Sequence, residues 1–299
     1  MSLNGGYAYR EVVTPLLAGR TVLARLLEFR HTDEATWRQR LAEGRVTLDG
    51  QPAGPEDVLE AGQALTWMRP PWEEPDAPLA TAVLFEDAHL VAVAKPSGLP
   101  TLPGGGFLEH TLLHLVRRRH PEASPLHRLG RGTSGVVLFA RTEPARQILA
   151  RAWREHTLTK VYLALAQGHP EPEAFEVEVP IGPVPHARLG SLHAASPTGR
   201  PSFSAVRVLA RRSDGSSLLE VTIRTGRPHQ IRIHLAAAGH PLVGDPLYRT
   251  GGLVDPAALP GDLGYRLHAL RLEGPHPVGG GPFSITCAAP PILRLQEGA

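Results

Sequence analysis

Apolar residues in the first quarter of the chain recur with helical spacing and then give way to alternating strand patterns. The apolar positions of residues 21–29 share one helix face, and a second helix begins at Thr32 or Asp33 and runs to about residue 42. Residues 45–51 predict two short strands around an Asp-Gly turn, and residues 64–68 predict a closing strand. A Pro-rich acidic stretch then predicts a stiff linker.

The rest of the chain alternates irregularly between short strands and a few helices. Strands are predicted over residues 83–85, 90–94, 135–140, 161–166, 203–210 and 218–224, and helices over 111–119, 144–156 and 229–238. This pattern predicts an α+β fold whose larger domain is a mixed, mainly antiparallel curved sheet flanked by helices. We place a small α+β domain with its linker at residues 1–78 and the larger domain at 79–299.

Composition supports a cytoplasmic globular protein and excludes disordered and fibrous classes. The chain has 299 residues, of which 42% are hydrophobic and 20% charged, and no apolar run approaches the length of a membrane span. Its beginning has no apolar core typical of a signal peptide, and the single cysteine, Cys287, allows no internal disulfide. Only two of the 31 basic residues are lysines, Lys95 and Lys160, which suggests positions that arginine does not fit.

The common cofactor-binding and metal-binding motifs do not indicate a function for this chain. Residues 130–135 match G-x-G-x-x-G, but a buried strand follows them where a dinucleotide site needs a helix. The chain has no phosphate-binding G-x-x-x-x-G-K-[ST] loop, no H-E-x-x-H and no C-x-x-C. His229 and His234 are five residues apart and diverge on a helix. We therefore expect neither a cofactor nor a metal.

Several segments together carry a more specific signal. They read A-K-P-S-G-L-P-T at 94–101, H-R-L-G-R-G-T-S-G at 127–135, T-K-V-Y-L-A at 159–164, R-T-G-R-P-H-Q-I-R-I-H-L at 224–235, G-H-P-L-V-G-D-P-L-Y at 239–248 and L-H-A at 267–269. In order and spacing these resemble the RluA-type family of RNA pseudouridine synthases, over about residues 80–292. Both lysines fall within these segments.

The resemblance implies a reaction and a set of site residues. The family isomerises uridine within RNA without cofactor or metal, after the target base has left its stack. It implies that Tyr162 stacks on the base and that Arg232 pairs with the catalytic aspartate. Arg128 is implied to fill the gap left by the base, although a structural role is equally compatible with the sequence. The remaining predicted RNA contacts are Lys95, Arg131, Arg227 and His229.

The family's catalytic aspartate is replaced by Gly130, which can neither attack nor deprotonate the ribose. No aspartate lies between Asp87 and Asp214, and Asp245 belongs to the family's own G-D segment, where an aspartate is expected beside the catalytic one. Glu109 and Glu122 are possible substitutes that nothing in the pattern supports. Arg232 would then lose its partner, which leaves a bound anion, another acid or an opened pocket as outcomes. The prediction is a pseudouridine synthase acting on rRNA or tRNA; the alternative is an inactive, RNA-binding synthase fold. Gly130→Asp should create or raise activity, unless a positive φ strains it.

The N-terminal pattern resembles the alpha-L RNA-binding domain. Two helices are followed by G-R-V-T-L-D-G and L-E-A-G-Q, with a thin basic helix face of Arg20, Arg25, Arg30, Arg38, Arg40 and Arg45. A generic small α+β domain is the alternative. The formal net charge of +2 does not by itself indicate nucleic acid. We expect RNA as the partner, no membrane, and a monomer.

Overall fold

The computed structural model of the protein describes residues 3–29 and 32–295, so Arg30 of the predicted basic face lies outside the described residues. The chain divides into two compact units, Met1–Glu74 and Pro75–Ala299. The division falls inside the Pro-rich stretch. No helix in the described residues is long and apolar enough to cross a membrane.

The N-terminal unit is a four-stranded antiparallel sheet with two helices. Its strands are β1 (Tyr7–Val12), β2 (Val46–Leu48), β3 (Gln51–Pro52) and β4 (Ala64–Arg69), in the order β1-β4-β2-β3, and its helices are α1 (Val22–Leu27) and α2 (Glu34–Ala42). The carboxylate of Asp33 caps α2 by accepting the Thr36 amide at 2.8 Å. Asp49 and Gly50 both have positive φ, as the tight turn between β2 and β3 requires. Strand β1 was not predicted, because its side chains are mostly exposed and show no apolar alternation.

Part of the predicted linker belongs to this unit. The Asn4 amide donates to the Trp72 carbonyl at 3.1 Å, and Leu3 pairs with Glu73 as an isolated bridge. The guanidinium carbon of Arg69 lies 3.4 Å from the centre of the Trp72 ring. Residues 70–74 are therefore held against the N-terminal sheet.

The second unit is built on a ten-stranded mixed sheet, in the order β10-β13-β14-β9-β17-β8-β6-β5, with β18 paired to β17 and β7 to β8. Its strands are β5 (Ala82–Glu86), β6 (Leu90–Lys95), β7 (Ser124–Pro125), β8 (Ser134–Ala140), β9 (Thr159–Gln167), β10 (Ala174–Val177), β13 (Ser204–Arg211), β14 (Ser216–Ile223), β17 (Leu267–Pro275) and β18 (Pro282–Thr286). Two hairpins, β11 (Ile181–His186) with β12 (Gly190–Ala195) and β15 (Tyr248–Arg249) with β16 (Leu253–Val254), lie outside this sheet. Every pair is antiparallel except β8 with β17.

Over its described residues, 75–295, the unit also has three α-helices and two short 3-10 turns: α3 (Leu112–Arg117), α4 (Glu143–Arg154), α5 (Gln230–Ala237), Thr250–Gly252 and Pro291–Leu293. Leu149 of α4 packs with Leu90 and Leu138 of the sheet. Ile231 and Leu235 of α5 join a second core cluster with β9 and β14. Helix α5 therefore presents its first turn beside these two strands.

The predicted α+β class and the mixed, mainly antiparallel sheet are confirmed. The predicted elements agree with the observed ones within two residues at their ends. The largest omission is β17, a central strand. It carries the buried His268, whose ring nitrogens lie 2.8 Å from the Ser134 hydroxyl and 3.0 Å from the Cys287 carbonyl. A fully bonded histidine in a sheet interior breaks the apolar pattern on which strand prediction depends.

Candidate active site

A small cavity of about 100 Å³ lies where the loop before β8 meets β9, β14, β17 and the start of α5. We call it the cleft. Six of the predicted site residues line it: Arg128, Gly130, Tyr162, Arg227, His229 and Arg232. These residues come from three segments that are far apart in sequence. The sheet order brings the three segments together.

Arg232 has a partner, and that partner is Asp245. The Nε atom of Arg232 donates to Oδ2 of Asp245 at 2.7 Å, and Nη2 donates to Oδ1 at 2.8 Å. The two side chains are only 2% and 1% exposed. Burial alone would lower the pKa of Arg232, but the hydrogen bonds and charge of Asp245 outweigh it and raise the pKa. Of the three outcomes considered for Arg232, the structure shows another acid.

Gly130 is not in the left-handed region of backbone conformation, so the strain anticipated for Gly130→Asp does not arise. Space is the constraint instead. A Cβ at position 130 would lie 2.9 Å from the Tyr265 hydroxyl, and one at Gly132 would lie 2.8 Å from two carbons of the Tyr265 ring. Both glycines therefore make room for Tyr265. The first two glycines of the pattern that imitates a dinucleotide-binding motif serve this packing, whereas the third, Gly135, makes room for the Ala269 backbone.

Sequence analysis missed Tyr265, which lines the cleft and is itself buried. Its hydroxyl lies 3.3 Å from that of Thr133, and its ring centre lies 4.1 Å from the guanidinium carbon of Arg232. Its only sequence signal is an aromatic residue close before L-H-A. Among the described residues, none that lines the cleft is Asp or Glu. Glu122, one considered substitute, instead accepts from Arg141 at 2.9 Å.

Tyr162 lies on β9, between Val221 of β14 and Ala269 of β17. Its ring packs partly against the core and partly lines the cleft. Burial raises the pKa of its hydroxyl to about 12, so the phenol stays neutral at physiological pH. A neutral, half-buried ring at the cleft wall is suited to stacking on a planar base.

His229 stands directly before α5, with a left-handed backbone (φ 56°). Its Nδ1 lies 2.8 Å from the Tyr248 hydroxyl, which itself donates to the His193 carbonyl at 2.7 Å. Tyr248 has only one hydroxyl proton, so Nδ1 of His229 must be the donor to it. Burial, followed by the charge of Arg232, lowers the pKa of His229 to about 3. The ring is therefore neutral, and its Nε2 is a hydrogen-bond acceptor.

Two arginines stand at the edge of the cleft. Arg128 is exposed, whereas Arg227 is half-buried and donates through Nε and Nη2 to the Pro201 carbonyl, both at 3.3 Å. The side-chain oxygen of Gln230 accepts from the Arg227 amide at 3.0 Å and from the Thr225 hydroxyl at 2.8 Å. Gln230 thereby fixes the loop that carries Arg227.

Lys95 and Arg131, two of the predicted RNA contacts, do not line the cleft. Lys95 is 1% exposed, and its Nζ donates to the carbonyls of Leu99 (2.6 Å), Pro96 (3.0 Å) and Arg131 (3.2 Å). Burial, then the charge of Arg131, lowers its pKa to about 7. Arg131 donates to the Gly98 carbonyl at 3.1 Å. The geometry favours a structural role for both, joining the loop after β6 to the loop before β8.

The same geometry explains why lysine stands at position 95. Three carbonyl oxygens surround a single nitrogen, an arrangement that suits a compact ammonium and not a planar guanidinium. Lys160 is also buried and donates to the Arg224 carbonyl at 3.0 Å. Both lysines therefore bind backbone oxygens inside the second unit.

Comparison with known proteins settles the family. The family model described as RNA pseudouridylate synthase matches residues 89–237. An uncharacterized RNA pseudouridine synthase of Synechocystis is 45% identical over 271 residues, which cover 89% of this chain and 93% of the relative. This chain belongs to the RNA pseudouridylate synthase family.

Other members of the family cover most of the chain as well. RNA pseudouridine synthase 5 of Arabidopsis thaliana is 38% identical, over 98% of this chain and 95% of its own length. Ribosomal large subunit pseudouridine synthase D of Neisseria meningitidis serogroup B is 34% identical, over 95% of this chain and 81% of its own length. The structure of human RNA pseudouridylate synthase domain containing 1 covers 74% of this chain and 89% of its own, with a TM-score of 0.56 and 25% identity. The resemblance to RluA-type synthases is thus confirmed.

Proposed function

We propose that the cleft binds a uridine flipped out of RNA and isomerises it to pseudouridine, with rRNA or tRNA as the substrate. The observation that carries this is the meeting of Tyr162 with His229 and Arg232, which come from two separate family segments, in one cavity. The relative from Neisseria, named as an enzyme of the large ribosomal subunit, supports rRNA as the first substrate to test.

Each cleft residue has a role in this proposal that follows from its geometry. The Tyr162 ring stacks on the base, and the unprotonated Nε2 of His229 accepts a hydrogen bond from it or from the ribose. Arg128 and Arg227, at the cleft edge, contact phosphates on either side of the flipped nucleotide. Arg232 acts through its contacts with Asp245 and Tyr265, because its fork is already filled by Asp245.

Tyr265 belongs to the proposed site because of where its hydroxyl lies. That hydroxyl occupies the space next to Gly130 in which a side chain at position 130 would begin. A phenol can both donate and accept a hydrogen bond, so it is able to bind a ribose hydroxyl at this point. The inactive alternative gains no support from relatives that are named as synthases.

The test is pseudouridine formation in large-subunit rRNA and tRNA transcripts, with the Tyr162→Leu variant alongside. Loss of stacking on the base should lower formation roughly 5- to 150-fold. Arg38→Gln, far from the cleft in sequence and in the other unit, is the matched control and should be unaffected. Product from neither RNA, with a folded protein, would contradict the proposal.

Residues 1–78 are proposed to form an alpha-L-like domain that adds RNA affinity. The truncated chain that tests this should begin at Pro75, because Ala77 packs with a core cluster of the second unit and the Pro75 carbonyl lies 2.9 Å from Nδ1 of His110. We expect the remainder to fold and to bind RNA more weakly. If residues 75–299 alone were insoluble, the domain boundary would have to lie elsewhere in the chain.

A cytoplasmic location and a monomeric state complete the proposal. The cytoplasmic location rests on the sequence, chiefly on its single cysteine, and the monomeric state is an expectation with no separate observation behind it. Fractionation of cells and light scattering of the purified protein test them.

A further inference from the structure

The basic helix face expected from the sequence is neutralised in the N-terminal unit. Arg25 is paired with Glu11 at 2.7 Å and also contacts Glu28. Arg38 is paired with Glu34 at 2.8 Å. Arg20 and Arg45 contact Glu28 and Glu43. Among the described arginines of that face, only Arg40 has no carboxylate within ion-pair distance.

Arg40 points into a different surface, a groove of about 760 Å³ between β1, β4 and the two helices. We call it the aromatic groove and define it by Tyr7, Tyr9, Trp37, Arg40, Trp67 and Arg69. The Tyr9 ring stacks on Trp67 with centres 5.1 Å apart and planes 14° apart, and the Tyr7 ring meets Tyr9 edge-on at 4.8 Å. Tyr7 and Tyr9 are 47% and 45% exposed.

Two arginines supply positive charge to the groove. The guanidinium carbon of Arg40 lies 4.7 Å from the Trp37 ring centre and 4.5 Å from that of Trp67. Burial, followed by the charge of Arg69, lowers the pKa of Arg40, as expected of neighbouring like charges. Within the described part of the chain, neither arginine has an acidic group within 4 Å. The groove's own carboxylate, Glu11, is bound by Arg25.

We propose that the aromatic groove binds a short unpaired stretch of RNA, with bases stacked on Tyr7 and Tyr9 and phosphates beside Arg40 and Arg69. The proposal rests on RNA being the substrate of the proposed function. Exposed aromatic rings interleaved with unpaired cations fit single-stranded nucleic acid, because every base offers a planar face and every linkage a negative charge. A proline-rich peptide would use the rings but would leave the two cations without a partner.

The experiment uses the full chain and fluorescently labelled oligocytidylate of about ten nucleotides, within the site sizes of single-strand binders. This probe contains no uridine, so the cleft has no target base in it. Tyr9→Ala should weaken binding roughly 5- to 150-fold, the range for loss of one stacked base. Tyr9→Phe keeps the ring and should bind within about twofold of the wild type.

The matched charge variants are Arg40→Gln and Arg38→Gln, two residues apart on α2. Arg40→Gln should weaken binding and Arg38→Gln should not, because Arg38 already has Glu34. Thermal unfolding of each variant checks that the unit is folded. Equal binding by Tyr9→Ala, Tyr9→Phe and wild type would overturn the proposal, as would displacement of the probe by a proline-rich peptide.

Pseudouridine formation, measured on the same variants, separates this inference from the proposed function. A chain that forms no pseudouridine but binds the probe through Tyr9 would refute the proposed function alone. A chain that forms pseudouridine while Tyr9→Ala binds the probe normally would refute the groove alone. We also expect Tyr9→Ala to raise KM for a long RNA and leave kcat unchanged, since Tyr9 lies in the other unit from the cleft residues.

Discussion

The cleft and the aromatic groove hold their central arginines in opposite ways. In the cleft, both arms of the buried Arg232 fork are bonded to Asp245. In the groove, Arg40 lies over two indole rings and has no carboxylate within ion-pair distance among the described residues. Pairing with a carboxylate neutralises an arginine and fixes it, whereas stacking on rings leaves its charge and most of its donors for a ligand. We therefore infer that Arg232 holds the cleft in shape, whereas Arg40 is available to bind a ligand.

The largest expected effect comes from breaking the cleft pair. Asp245→Asn leaves Arg232 buried without a counter-charge and should lower the free energy of unfolding by about 3–5 kcal/mol. Asp245 also accepts from the Leu247 amide at 2.9 Å, and the Asn side-chain oxygen can keep that hydrogen bond, so the variant removes mainly the charge. Asp255→Asn is the control, because its partner Arg249 is exposed and such a pair contributes about 0–1 kcal/mol. Denaturant unfolding measures both, and equal losses would contradict the assignment.

Acidification should destabilise the second unit more than the N-terminal unit. Burial lowers the pKa of His127 and of His229 to about 3, so the folded state disfavours their protonation. As pH falls below the ordinary value near 6.5, the unfolded chain takes up protons that the folded chain does not, and stability falls. Each histidine contributes about 1.4 kcal/mol per pH unit, until the pH approaches 3. The described residues of the N-terminal unit include no such histidine.

Hydrogen exchange at stepwise lower pH measures this difference. We expect amides of the second unit to lose protection first. His127→Gln, which retains an acceptor for the Leu138 amide that now bonds Nε2 of His127 at 3.0 Å, should remove one histidine's share of the pH slope. A slope that is unchanged in this variant would show that other groups control acid stability.

Gly130 provides the next test of the cleft. A Cβ at position 130 meets the Tyr265 hydroxyl at 2.9 Å, so Gly130→Ala should cost about 1–3 kcal/mol of stability through overpacking. Tyr265→Phe removes that hydroxyl and should recover most of the loss. For the same reason, the Gly130→Asp, Tyr265→Phe double variant should be more stable than Gly130→Asp alone. Equal stability of the two variants would show that the Tyr265 hydroxyl does not limit the space at position 130.

The sequence predicted helices and strands whose apolar pattern is local, and it did not predict contacts between side chains of different elements. The resemblance to the family pointed to Tyr162, His229 and Arg232, and the structure places all three at one cavity. The pairing of Arg232 with Asp245 joins helix α5 to the loop that follows it. The burial of Tyr265 against Gly130 brings the residues just before β17 beside the loop before β8, and β17 was not recognised as a strand. Lys95 shows the limit of a motif position: it was expected to contact RNA, and its Nζ donates to three backbone carbonyls, which no sequence pattern indicates.

The smallest expected effect concerns salt and tests the groove half of the comparison. For each tenfold rise in salt concentration, the logarithm of the affinity for a single strand falls by about 0.7 per phosphate contact, because each contact releases a counterion. Arg40→Gln should therefore reduce the slope for oligocytidylate by about 0.7, which between 50 and 200 mM salt amounts to about 0.6 kcal/mol. Arg38→Gln should leave the slope unchanged, since Glu34 already neutralises that guanidinium. If both variants reduce the slope equally, the RNA phosphates contact Arg38 as well as Arg40. Stacking on indole rings would then not distinguish an arginine that binds RNA from one that is paired with a carboxylate.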